Sequence, residues 1–191
     1  MLRSRRAGFT LIEVLIAMVV MGVLITMAGP SFFEWLQNSQ IRTAADAMQN
    51  GVQIARAHAI TLNKPVVIQV GPGSGWTVGE APPAGTPGVG TVIQTRVMEE
   101  GTPNVGVNTL PNGSFAITFS PLGAVMTANS DGTLPVTRMD FINPRGGNCQ
   151  ADASPGPMRC LRLVVTGGGS IKMCDPKLDP AAIPPDPRAC P

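Results

Sequence analysis

Residues 8–30, GFTLIEVLIAMVVMGVLITMAGP, hold one charged side chain, Glu13, in an otherwise apolar run. From Leu11 to Gly29, with Phe9 at its head, the run is long enough to cross a bilayer as one helix of about 20 residues. Arg3, Arg5 and Arg6 stand just before it, and basic residues on that side keep the N-terminus cytoplasmic and send everything after residue 30 outward. An ordinary secretory signal has the same order of parts, and Met27-Ala28-Gly29 fits its small-residue cleavage site. Glu13 argues against that alternative. An acid inside the apolar run is costly in lipid and serves no purpose in a segment meant for disposal.

Outward from this stretch, Pro30 removes one backbone N–H and its ring clashes with the preceding turn, so the helix should bend or locally melt there. Beyond it Phe33, Leu36, Ile41, Ala44, Ala45, Met48, Val52, Ala55, Ala59 and Leu62 fall mostly at spacings of three and four. Gln37, Asn38, Gln40, Arg42, Asp46, Gln49, Gln53 and Arg56 take the other side, which makes an amphipathic helix. Asn63-Lys64-Pro65 stops it, because the residue before a proline avoids the helical region. From Phe9 to Leu62 the helix would run roughly 80 Å.

From residue 66 the period changes to two or to short apolar runs. Strands are expected at Val66–Val70, Thr91–Met98, Ser114–Phe119, Arg138–Ile142, Leu161–Thr166 and Ser170–Met173. Turns fall between them at Gly71–Gly75, Pro111–Gly113, Pro121–Gly123, Asn143–Gly147 and Gly167–Gly169. An antiparallel sheet laid on the helix is the economical arrangement, and the fold class is α+β.

Composition adds a constraint. Among 191 residues there are 22 Gly and 19 Pro, no Tyr, and 14% charged residues, so the core is modest and the domain rich in loops. Cys149, Cys160, Cys174 and Cys190 all lie in the last quarter of the chain. In an exported domain an even number at loop-sized spacings reads as two disulfides. Three pairings are possible; Cys149 with Cys160 and Cys174 with Cys190 each close a short loop, contributing roughly 3 kcal/mol apiece in the loop-entropy account. A zinc site is disfavoured, since no Cys-x-x-Cys exists and the one histidine, His58, belongs to the distant helix.

Nothing in the sequence assembles catalytic machinery. His58 sits among alanines with no acid nearby, and Gly71–Gly75 follows a strand without the Gly-Lys-Ser/Thr ending of a phosphate loop. Glu99, Glu100 and Asp131 lack the ligand ladder of a calcium loop. The reading is a non-enzyme without cofactor or metal. Loss of Arg3, Arg5 and Arg6 would take the formal charge from +2 to about −1, so the chain as a whole is no polyanion binder.

The residues Gly8-Phe9-Thr10-Leu11-Ile12-Glu13 resemble the class III signal of type IV prepilins. That resemblance implies cleavage by a prepilin peptidase between Gly8 and Phe9, N-methylation of Phe9, and retention of the apolar helix. It also implies a pilin fold, with residues 1–8 as leader, 9–29 as transmembrane and filament-core helix, 30–64 as amphipathic helix and 65–191 as periplasmic β-rich domain. In such filaments Glu13 is expected to pair with the N-terminal ammonium of a neighbouring subunit, a burial tolerable only when both charges meet. Pro30 falls where pilins commonly carry a kink-forming proline.

Asn38–Ala45, Leu62-Asn63, Phe119-Ser120-Pro121-Leu122-Gly123 and Met173-Cys174-Asp175-Pro176 are similar to the GspH/FimT family of minor pilins and pseudopilins. The resemblance implies a minor pilin that primes or caps a type IV pilus, with a link to DNA uptake, whose Cys-bearing tail is more typical of the pilus branch. The alternative is a pseudopilin of the type II secretion system, of the protein H type. An unrelated anchored periplasmic binding module is a third reading. Implied partners are the prepilin peptidase, other major and minor pilins or pseudopilins, the inner-membrane assembly platform and DNA. The implied location is the bacterial inner membrane, single-pass, then the filament.

Some family members associated with DNA carry Gly-Arg-x-Arg before Met-Cys-Asp-Pro. Here Gly169-Ser170-Ile171-Lys172 takes that place and keeps one cation, which weakens a phosphate clamp. Lys172, Arg162, Lys177 and Arg188 are the candidate DNA contacts, with Arg145 and Arg159 nearby and Asp140, Asp152, Asp175, Asp179 and Asp186 offsetting them. Solvated surface charge is the favoured reading of the set.

Overall fold

The computed structural model describes residues 9–184 and 186–191, and the side chains of residues 28 and 30 fall outside that description, as does the expected leader with Gly8. The chain divides into two compact units, one ending at Leu36 and the other spanning Gln37–Pro191. A backbone helix, α1, runs over Leu11–Leu62.

In the first unit the helix is apolar on every side and exposed on every side, from Leu11 at 84% to Trp35 at 64%. Among the described residues no single helix is long and apolar enough to cross a membrane; Leu11–Met27 and Ser31–Leu62 meet that measure only together, as a bent pair. Pro30 lies in the break between them.

The second unit begins where α1 gains a buried face. Ile41, Ala44, Ala45, Met48, Val52, Ala55 and Ala59 are completely buried. Phe33, Leu36 and Leu62, expected on the same face, are exposed instead. Phe33 and Leu36 precede the second unit, and Leu62 is the last helical residue. The helix ends in a hydrogen-bonded cap: Lys64 N donates to Ala59 O and Asn63 N to Ile60 O, both at 3.3 Å, with Asn63 at φ 51°. This is the reciprocal pattern of a left-handed C-terminal residue, a conformation asparagine tolerates. Pro65 then forbids any continuation.

Eight strands follow: β1 Val66–Val70, β2 Trp76–Glu80, β3 Val92–Arg96, β4 Gly106–Leu110, β5 Ala116–Phe119, β6 Arg138–Ile142, β7 Leu161–Val165 and β8 Ile171–Cys174. They form two four-stranded sheets, ordered β3-β2-β1-β5 and β4-β6-β7-β8, with every pairing antiparallel. The single sheet expected from the sequence is therefore two. β2 and β4 were not anticipated. β2 is embedded in a Gly- and Pro-rich stretch that reads as loop, and β4 carries Gly106 and Asn108 among its five residues, types depleted in strands.

One core unites these layers. The buried face of α1 shares a cluster with Ile68, Val70, Trp76, Val78, Ile117 and Phe119 of the first sheet and Met139, Phe141, Leu163 and Val165 of the second. Behind the first sheet, Asn129 pins the 125–136 segment. Its Nδ2 donates to Ala116 O, Thr133 Oγ1 and Leu134 O, and its Oδ1 accepts from Thr118 Oγ1. The four cysteines form two disulfides, Cys149–Cys160 with Cα atoms 5.5 Å apart and Cys174–Cys190 with Cα atoms 5.0 Å apart.

Within this core α1 and β2 approach each other closely. A Cβ added at Gly51 would stand 2.8 Å from Trp76 Cε2 and 2.9 Å from Cδ2, and the Trp76 ring is only 3% exposed. Alanine favours a helix by about 1 kcal/mol over glycine, whereas forcing a methyl against a packed indole costs typically 1–3 kcal/mol. Gly51→Ala is expected to destabilise the second unit by up to about 2 kcal/mol, read as a lower denaturant midpoint with an unchanged slope. A midpoint that rises would show that the propensity gain wins.

Candidate functional site

Two features gather the residues singled out by the sequence, one in each unit. The first is the start of α1. Thr10 caps the helix: its Oγ1 accepts from Glu13 N at 3.3 Å, and its carbonyl accepts from Val14 N at 3.3 Å. Thr-x-x-Glu is the capping-box spacing, which places Glu13 in the first turn, where the helix dipole favours an anion. Sequence reasoning passed over this cap although its spacing was visible. Glu13 and Phe9 are both exposed, and among the described residues the Glu13 carboxylate has no ion-pair partner. Farther along, Thr26 Oγ1 donates to Val23 O at 2.8 Å, which satisfies the one remaining hydroxyl of the apolar stretch within the helix itself.

After the proline come three exposed aromatic side chains, Phe32, Phe33 and Trp35. The Phe32 ring centroid lies 6.3 Å from that of Phe33 and 6.0 Å from that of Trp35.

The second feature is the outer face of the sheet β4-β6-β7-β8. Register places Asn108, Asp140, Arg162 and Cys174 opposite one another in one row and Leu110, Arg138, Val164 and Lys172 in the next. Their neighbours along the strands, Met139, Phe141, Leu163 and Val165, are buried, as the alternation of a one-sided sheet requires. Asp140 is clasped from both sides. Arg162 Nε reaches Oδ1 at 2.6 Å, while Arg138 reaches Oδ2 through Nη2 at 2.6 Å and Nε at 2.8 Å. Three cations against one acid leave this face positive.

The other sequence candidates are scattered and largely engaged. Lys172 Nζ donates to Ala189 O at 3.1 Å, Arg159 pairs with Asp175 at 3.0 Å and Arg188 with Asp186 at 2.8 Å. Lys177 is exposed, and its backbone N–H, not its ammonium, binds Asp175 Oδ1 at 3.0 Å. Only Arg138, Arg162 and Lys172 share a face, and the first of these was not among the sequence candidates. Strand pairing across 22 residues joins Arg162 to Asp140, a neighbourhood that spacing along the chain does not display. Arg159 also donates its backbone N–H to Asn38 Oδ1 at 2.7 Å, tying the first disulfide loop to α1. No group of three or more metal-ligating side chains occurs among the described residues.

Two acids depart from their ordinary range. The Thr133 hydroxyl, and then the Thr133 backbone N–H, hold Asp131 below its usual value. Arg188 holds Asp186 down to about 2, first through its side chain and then through its backbone N–H, and Asp186 in turn raises Arg188. A depressed carboxyl pKa favours the folded loop above the ordinary value of 3.8, and that contribution is lost as pH falls through about 2. An NMR titration should find the Asp186 carboxyl midpoint near 2, moving back toward 3.8 in Arg188→Ala. An unmoved midpoint in the variant would assign the shift to another cause.

Comparison with known proteins places these features in a wider setting. Residues 44–169 match the family model described as type II transport protein GspH, and residues 3–29 match the prokaryotic N-terminal methylation motif. No curated protein sequence matches the chain. Two crystal forms of the type IV minor pilin FimU of Pseudomonas aeruginosa strain PAO1 are similar in structure. The P21 form has TM-score 0.52 at 14% identity, covering 73% of this chain and 91% of that one. The P65 form has TM-score 0.49 at 15% identity, covering 69% and 90%. At such identity the likeness shows a shared fold, a long helix packed on antiparallel sheets.

Proposed function

This chain belongs to the GspH family, a family of pilins and pseudopilins and not of enzymes, and on that footing we propose that it is a minor pilin of a type IV pilus, acting at priming or at the tip. The carrying observation is a helix apolar on every side, with one acid in its capped first turn, in the same chain as a domain closed by two disulfides. An all-round apolar helix has no stable place in water and needs lipid or other such helices around it. Disulfides persist in an oxidising compartment. Together they support a subunit held in the inner membrane with its N-terminus cytoplasmic and its domain periplasmic, which the prepilin peptidase trims at Gly8 and whose new N-terminal residue, Phe9, is N-methylated. Glu13 then meets the N-terminal ammonium of a neighbour during assembly, and Pro30 relaxes the helix where it leaves that bundle.

A second reading, the pseudopilin of a type II secretion system, is favoured by the description of the matching family model. Crosslinking in native membranes separates the two, by recovery of pilus subunits or of secretion subunits. In either machine Glu13→Ala should leave the chain membrane-bound and N-methylated at Phe9 yet absent from sheared filaments. Absence of the wild-type chain itself from sheared filaments would defeat the pilin reading and leave an anchored binding module in its place, whereas normal incorporation of the variant would remove Glu13 from assembly.

Contact with DNA belongs to the pilus reading, and the face bearing Arg138, Arg162 and Lys172 is where it would occur. Every cation withdrawn from a phosphate lowers the salt slope of binding by about 1. Combined Arg162→Ala and Lys172→Ala should therefore weaken duplex DNA binding at low salt and reduce that slope by about 2. Unchanged binding would remove this face from DNA recognition.

A further inference from the structure

We propose that Phe32, Phe33 and Trp35 form an interfacial clasp that seats the unassembled subunit in the outer headgroup layer of the membrane. The inference rests on the anchored reading above and adds to it the lipid partner of one segment. Successive helical residues turn by about 100°, so the three rings cover roughly 160° of the helix and Glu34 stands on the far side. All three rings are exposed, and the Phe32 ring lies against those of Phe33 and Trp35.

Their height along the helix points to the occupant. The segment from Leu11 to Gly29 rises roughly 28 Å, close to the hydrocarbon thickness of about 30 Å. Beyond Gly29 the stretch to Trp35 adds at most roughly 9 Å of path across the bend, against about 40–45 Å for a bilayer with its headgroup layers, of which about 30 Å is hydrocarbon. The rings therefore fall where the apolar run has ended and before the polar residues Gln37, Asn38 and Gln40 begin. Amphipathic rings, tryptophan above all, concentrate at that depth, with the ring body among acyl carbons and the indole N–H toward water. Glu34, one residue from Phe33 and from Trp35, excludes a deeper position because its carboxylate must reach water. An aromatic cluster that served only the domain core would be covered by it, and this one lies in the other unit.

The test reconstitutes the full-length chain into phosphatidylcholine and phosphatidylglycerol vesicles carrying bromine on the acyl chains, either near the carbonyl end or near the bilayer centre. The chain has two tryptophans, and Trp76 is 3% exposed in the core of the second unit. The difference in emission between wild type and the conservative variant Trp35→Phe therefore reports Trp35. Shallow bromines are expected to quench that component about twofold or more beyond deep ones, as an interfacial depth requires. Stronger quenching by deep bromines, or none from either set while the chain still floats with the vesicles, overturns the clasp and leaves the anchor standing. A chain that does not float with the vesicles overturns both.

Discussion

The second unit depends on how closely α1 lets two sheets approach it. Ala44, Ala45, Gly51, Ala55 and Ala59 present almost no side chain on the buried face, so the bulk of the core comes from across the interface, from Trp76, Phe119, Phe141, Met139 and Leu163. Complementarity of this kind fixes register. A residue with no side chain under an indole admits one placement of β2 along the helix, and β2 in turn sets β1 through continuous pairing and β3 through a pairing with one register shift at Val78/Gly79. Interiors packed to crystal-like density transmit such a constraint because they have no spare volume to absorb a shift.

A small-residue helix carries a cost, since it buries little apolar area per residue, and aromatics are only 4% of the chain. Covalent and polar ties take up part of the burden. The two disulfides restrict the unfolded chain over separations of 11 and 16 residues. Arg159 links them through its ion pair with Asp175, which is buried, and fastens them to α1 through Asn38. The Asp175 carboxylate is buried while the Arg159 side chain is 58% exposed, so losing Arg159 would strip a buried anion of its cation and loosen the arrangement it holds. Asn129 has the same effect beside the other sheet, where one amide joins Ala116 O of β5 to Thr133 Oγ1 and Leu134 O of the strand-free segment that follows.

The long-period features were legible in the sequence and the pairings were not. Helical spacing located the buried stripe from Ile41 to Ala59, and alternation located six of the eight strands to within two residues at either end. It overreached at Phe33, Leu36 and Leu62, because periodicity continues past the point where there is a partner to bury it. β2 and β4 escaped because each is short and carries a residue type depleted in strands, Gly79 in one and Gly106 and Asn108 in the other. Division into two sheets escaped for a different reason: strand order is decided by which faces meet α1, a relation among distant residues. The basic face shows the same limit. Arg162 and Lys172 stood out as cations, but Arg138 and Asp140 become their neighbours only through the β6–β7 and β7–β8 registers.

In the first unit the same physical rules act without a sheet to satisfy them. There the helix closes its own accounts where it can: Thr10 caps the first turn, Thr26 returns its hydroxyl to Val23, and the apolar side chains ask only for a non-aqueous medium. The carboxylate of Glu13 is the exception. It gains from the dipole of its own helix by a fraction of a kcal/mol, of order 0.3–1 at an exposed terminus, which is small beside the several kcal/mol of removing an ion from water. So long as the N-terminus lies near a headgroup layer, water meets that demand. If, as proposed above, the helix passes from the bilayer into a bundle of like helices, that water would be lost and a cation from another chain would have to replace it. One acid at the head of an otherwise self-sufficient helix therefore makes its burial conditional on a neighbour.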